Sequence, residues 1–158
     1  MRFTARQLQK GMKWWPPFLG AGIRVKSLSD DFRDSVVELK LGRLNRNYVG
    51  THFGGSLYAM TDPFFMIMLL HNIGADYLVW DKSGSIEYVA PGRGLVHAHF
   101  QLTEQRIADI RAQAAGGGKV LPEFQVEVRH ANDGSLVALV RKTLYVRLKP
   151  KHRTQQER

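Results

Sequence analysis

The stretch that decides the reading of this chain is Asn47-Tyr48-Val49-Gly50-Thr51-His52-Phe53-Gly54-Gly55, running on through Ser56 to Leu70. Two glycines stand where a helix would begin. Leu57, Met60, Phe64, Phe65, Ile67, Met68 and Leu69 then fall on nearly every face of that helix. A helix apolar all round must be enclosed by other elements. Within it, Asp62 is followed by Pro63. A carboxylate in so apolar a run is costly unless paired, neutralised or turned toward a wet site, which makes Asp62 a candidate site residue. Pro63 cannot donate an amide to the Ala59 carbonyl, so a kink is expected there.

Outward from this helix the patterns are those of strands. Ile23 to Leu28 and Ser35 to Leu41 read as two strands across a turn-rich link, with Val37, Leu39 and Leu41 alternating against Val36, Glu38 and Lys40. Ile86 to Ala90, ending at Pro91-Gly92, and Val96 to Leu102 read as a hairpin. Phe124 to Arg129 and Leu136 to Leu148 read as a second one, joined by Asn132-Asp133-Gly134. Thr4 and Gln7 have capping-box spacing, with Phe3 and Leu8 spaced as a staple, so a short helix should start at Ala5 and end at Pro16-Pro17. Thr103 can cap a small inserted helix that closes at Gly116-Gly117-Gly118. The count predicts an α+β fold, one antiparallel sheet of about six strands wrapped around a long apolar central helix. Strands and helices do not alternate as a parallel α/β sheet would need.

The chain has 158 residues, enough for a single domain over 1–150, with 151–158 as a basic C-terminal tail. It has no cysteine, which excludes disulfides, zinc-thiolate sites and thiol nucleophiles. Its net charge is +9, distributed as +6 over residues 1–50, −2 over 51–100 and +5 over 101–158. A middle that is not basic argues against a dedicated nucleic-acid module. A polyphosphate-bearing small molecule such as coenzyme A would be drawn to the same field. The N-terminus lacks the apolar core of a signal peptide, which predicts a cytoplasmic protein. The Ser56 to Leu70 run, broken by Thr61, Asp62 and Pro63, is short of the roughly 18 apolar residues of a membrane span, and no membrane partner is expected. His97 and His99 share a strand face without further ligands, so no metal is implied, and no Gly-x-Ser-x-Gly elbow marks a serine hydrolase.

The 47–62 stretch resembles the hotdog-fold thioesterases, above all the branch related to phenylacetate-degradation (PaaI-like) thioesterases. Their pattern is Asn, a short gap, Gly, then His-Gly-Gly and an Asp seven residues later, as Asp62 follows Gly55 here. Trp80-Asp81-Lys82 through Tyr88-Val89-Ala90-Pro91-Gly92 resembles the next strand of that fold. The resemblance implies acyl-CoA or acyl carrier protein thioesters as substrates and no metal or redox cofactor. It implies Gly54 and Gly55 amides on the thioester oxygen, Asp62 as base or nucleophile, and His52 and Asn47 around the thioester. One position departs: Phe53 occupies the place of the family histidine, with His52 one residue earlier. That departure keeps two alternatives open, an acyl-binding hotdog protein without catalysis and, because His52-Phe53 is similar to a dehydratase pattern, a hotdog hydratase or dehydratase. Independently of any family, glycines opening a helix present N–H donors at its positive end, where a developing oxyanion is stabilised. Phe53 and Arg93, the latter in the turn after Pro91-Gly92, complete the predicted substrate contacts.

Helix arithmetic points to a homodimer, with a dimer of dimers as the larger option. At 1.5 Å per residue, Gly55 and Asp62 lie about 10 Å apart along one helix, too far for one thioester to meet both. A second helix packed antiparallel about a twofold axis would bring them together.

Overall fold

The computed structural model describes residues 3–150; the basic tail predicted at 151–158 lies outside them. The chain opens with α1 (Ala5–Met12) and α2 (Pro16–Ala21). The capping box of α1 is formed, Thr4 accepting from the Gln7 amide while the Gln7 side chain accepts from the Thr4 amide. The prolines do not merely end this helix. Pro16 starts α2, at the first-turn position where a missing N–H is harmless and the fixed φ already fits. Gly22 then closes α2 in the left-handed conformation, φ 80°.

The sheet follows as β1 (Ile23–Leu28), β2 (Asp34–Lys40), β3 (Tyr77–Tyr88), β4 (Leu95–Gln101), β5 (Glu123–His130) and β6 (Leu136–Leu148). All pairs are antiparallel, in the spatial order β1-β2-β4-β5-β6-β3. The helices α3 (Gly54–Ala59) and α4 (Phe64–Asn72) lie between β2 and β3 in the chain, and α5 (Glu104–Ala114), capped by Thr103, lies between β4 and β5. Phe64, Phe65, Met68 and Leu69 of α4 are buried with Val37 and Leu39 of β2, Phe100 of β4, Val126 of β5 and Leu144 of β6. The Phe64 and Phe100 rings stand 4.9 Å apart and Phe65 stacks on Phe124 at 4.7 Å. Each aromatic buried in this way contributes about 1.5–3 kcal/mol. No helix of the described residues is long and apolar enough to cross a membrane.

Two expectations are corrected. The central helix is not continuous: Met60 to Pro63 form turns between α3 and α4, so Asp62 sits in a break rather than inside a helix. The break follows from Pro63, which supplies no amide and disfavours helical backbone at the residue before it. The Thr61 hydroxyl and amide both donate to the Tyr58 carbonyl, closing the end of α3. Nor do the runs before and after Pro91-Gly92 form a hairpin. β3 is a twelve-residue edge strand that, among the described residues, pairs only with β6, whereas β4 pairs with β2 and β5. The amides of Val89 and Ala90 still donate to the Val137 carbonyl, so the chain leaves β6 only at Pro91 and crosses to the other half of the sheet. Alternation reports which face of a strand is buried, not which strand lies beside it. The Asn132-Asp133-Gly134 hairpin stands, joining β5 to β6 with Gly134 at φ 71°.

Candidate functional site

The loop before α3 is held by one side chain. Asn47 Oδ1 accepts from the Val49 and Thr51 amides at 3.2 and 2.9 Å. Its Nδ2 donates to Thr51 Oγ1 at 2.9 Å and to the His52 carbonyl at 3.1 Å. Gly50, at φ 80°, turns the chain back. These bonds all stay inside the loop, so the amide of Asn47 sets the course of the backbone into His52 and Phe53.

His52 is 3% exposed. Its amide donates to the Gly92 carbonyl at 3.0 Å, and its Nε2 stands 3.1 Å from the Gly94 carbonyl, so Nε2 carries the proton. Nδ1 is then a buried acceptor with no hydrogen-bond partner. Burial pushes the imidazole pKa below its usual value, against the opposing pull of the Gly94 carbonyl. The sign follows: the neutral form is the one that folds, so its stability is fully present above about pH 6.5, the unfolded value, and is lost as pH falls through the lowered folded value. Thermal melts of the parent should therefore decline between pH 7 and pH 5 more steeply than melts of His52→Gln. Parallel declines would remove His52 as a source of acid sensitivity. Gly92 lets the turn lie close against the ring: a Cβ on it would stand 3.0 Å from His52 Cδ2.

Phe53 precedes α3 without capping it, so its side chain leaves the first amides of the helix free of a cap. His52, Gly54, Leu57, Tyr88, Pro91 and Gly92, together with Asn47 and Thr51, line a cleft of about 400 Å³ beside this helix start. The Phe53 ring is 58% exposed and covers Gly55, where an added Cβ would meet its Cε1 at 2.5 Å. Tyr88, which the sequence reading missed, approaches from β3: a Cβ on Gly54 would meet its hydroxyl at 2.7 Å. The helix start therefore presents backbone donors, flanked by a phenol and a buried neutral imidazole, to one open cleft. Arg93 lies next to this cleft with an exposed side chain, its amide accepting no role in it but donating to His130 Nε2 at 3.1 Å.

Asp62 is not part of the cleft lining. Its Oδ1 accepts from Lys142 Nζ at 2.5 Å, and the same ammonium stands 3.2 Å from Asp81 Oδ1 on β3. The Asp62 side chain is 48% exposed. The fold thus brings His52, Gly54 and Gly55 together and gathers Asp62 with two residues not predicted, Asp81 and Lys142. A signal for Lys142 exists in the sequence, since it shares strand parity with Val140, Leu144 and Val146 on the buried face of β6. Among the described residues no group of three His, Cys, Asp or Glu side chains is placed to hold a metal ion.

The model of a domain of unknown function, DUF4442, matches residues 4–146 of the sequence. The chain belongs to the DUF4442 family. No curated protein sequence matches this DUF4442 chain. Solved structures match its fold. A Pseudomonas aeruginosa protein of unknown function, described as a probable thioesterase, superposes with a TM-score of 0.82 at 16% identity, over 94% of this chain and 98% of that one. Thioesterase superfamily member 2 from Mus musculus gives 0.63 at 19% identity, over 92% and 98%. The Escherichia coli PaaI protein from the phenylacetic acid degradation operon gives 0.62 at 17% identity, over 89% and 90%. The DUF4442 chain accordingly shares the fold of these structures, the hotdog fold.

Proposed function

We propose that this DUF4442 chain hydrolyses thioesters of coenzyme A or acyl carrier protein. The observation that carries the reading is the start of α3, where Gly54 and Gly55 open the helix without a side-chain cap and Gly54 lines the wall of a cleft. A thioester carbonyl seated there meets backbone donors at the positive end of the helix, aimed at the charge that develops on its oxygen. Asp62 is the base. Water loses a proton to its carboxylate as the new C–O bond forms, the C–S bond breaks, and the thiolate takes the proton. His52 shapes the cleft wall as a neutral ring.

The same reading asks for a homodimer. Asp62 lies outside the cleft of its own chain. The outer edge of β3, twelve residues long, is unpaired among the described residues of a single chain, and Trp80 on this strand is 45% exposed. Open edges of this length are natural pairing surfaces. A twofold pairing would set Asp62 of one protomer against the α3 start of its partner, and two such dimers could pair further. A second reading has its own support: with Phe53 at the family histidine position, the protein would bind acyl thioesters without hydrolysing them.

A panel of acyl-CoA esters followed by thiol release, with direct binding measured in parallel, separates the two. Release on at least one ester supports the hydrolase; tight binding without release supports the binder; neither would remove both. For an active ester, the positive field predicts a KM that rises with ionic strength while kcat changes less, and Arg93→Ala should weaken that dependence. A KM flat across salt, and unchanged in Arg93→Ala, would leave the +9 charge without a role in substrate capture.

A further inference from the structure

Lys142 breaks the pattern of β6. Val140, Leu144 and Val146 on the same face are buried and apolar, and the Lys142 side chain among them is only 4% exposed. An ammonium so buried loses its hydration and stays charged only where opposite charge replaces it. The replacement comes from two separate parts of the chain. Asp62, in the break between α3 and α4, stands 2.5 Å from Nζ, and Asp81, on β3, stands 3.2 Å from it. Burial draws the lysine pKa down, but the hydrogen bond and charge of Asp62, with Asp81 behind it, raise it above its usual value. Burial raises the Asp81 carboxyl, with Lys142 opposing.

The other charged groups nearby are Glu123 and Arg141, which line a pocket with Lys142, and Arg106, whose guanidinium lies 5.5 Å from the Phe124 ring centre. The β-partners of Lys142 are Gly84 on β3 and Phe124 on β5, and the Tyr58 ring of α3 lies 5.8 Å from Nζ. The Tyr58 hydroxyl occupies the space a side chain at Gly84 would need. One ammonium therefore holds two carboxylates side by side, each through its Oδ1, with both carboxylates part-exposed and the ammonium hidden.

Resting on the hydrolytic reading above, we propose that Lys142 is a positioning residue for the hydrolytic carboxylate and that Asp81 is a second carboxylate of the same centre. Both carboxylates flank one water. Asp62 takes the proton that leaves as the C–O bond forms, and Asp81 accepts a hydrogen bond from the other O–H. The electron pair of the C–S bond departs on sulfur, which then receives the proton from Asp62. Lys142 remains an ammonium throughout, fixing the two acceptors without exchanging a proton.

The test is the pH profile of thiol release in the parent, Lys142→Met, Lys142→Arg and Asp81→Asn, each checked for folding by circular dichroism. Lys142→Met keeps the stem of the side chain and removes its charge. It should lower kcat by about tenfold or more with KM within about twofold, and shift the acid limb to higher pH, since a carboxylate without its cation holds its proton more tightly. Lys142→Arg should restore the limb and most of the rate. Asp81→Asn should lower kcat severalfold and move the limb to lower pH, because a neighbouring like charge is gone. A Lys142→Met protein with parental kcat, or one that loses rate with the limb unmoved, would overturn the proposal while leaving hydrolysis intact. If the parent hydrolyses no ester, the functional reading fails by itself. Carbon-13 titration of the aspartates then decides: coupled midpoints that rise in Lys142→Met support the cluster, and independent midpoints indifferent to Lys142 overturn it.

Discussion

Asp62→Asn should cut thiol release by about 100-fold to 10,000-fold, the range a positioned general base supplies. The substitution preserves shape and removes the proton acceptor, so KM should change far less than kcat. Folding should survive it. Lys142 retains Asp81 at 3.2 Å, so the buried ammonium is not left alone, and the lost partner is half-exposed in the break between the two helices. Stopped or steady-state assays beside a circular dichroism melt separate the outcomes. Turnover within a few fold of the parent would take Asp62 out of the mechanism. Loss of activity together with the folded signal would assign it to the Lys142 ion pair alone.

Mixing two inactive chains should restore activity. One chain carries Asp62→Ala and the other Gly55→Val, which crowds the start of α3, where even a Cβ would meet the Phe53 ring at 2.5 Å. If each site takes Asp62 from one protomer and the α3 start from its partner, a mixed dimer has one intact site and one doubly damaged site. Random pairing of equal amounts then recovers about a quarter of the parental activity, because half the dimers are mixed and each has one working site. A site drawn from one chain would recover nothing. Sedimentation supplies the control: a monomeric mass at micromolar concentration, or proven exchange of subunits without recovery, would defeat the shared site.

What sequence alone could establish here follows local physics. Thr4 and Gln7 form their box, Thr103 caps α5, and Asn132-Asp133-Gly134 turns β5 into β6, because each involves groups within a few residues of one another. The apolar run from Leu57 to Leu69 required an enclosing sheet, and the sheet is there. The Gly54-Gly55 helix start and the kink expected at Pro63 were legible for the same reason, since both depend on what a single residue's backbone can or cannot do.

Tertiary structure decided the rest. The first part of β3 could not be read as a strand from its own alternation, which Asp81, Ser83 and Gly84 interrupt, and only the family resemblance from Trp80 onward marked it; its pairing with β6 is what makes it one. Its place at the edge, away from β4, was equally hidden, since alternation names a buried face and not a neighbour. Tyr88 reaches Gly54, and His52 lies under the Gly92 to Gly94 turn, only because the crossing at Pro91 carries that turn over the loop before α3. The centre around Lys142 is the extreme case. Asp62 and Lys142 are separated by 80 positions, and Asp81 lies between them in the chain. Sequence determined that each of these side chains carries charge. Only the fold determined that the three meet, because the register of β3 on β6 and the break before α4 set which charges leave water together.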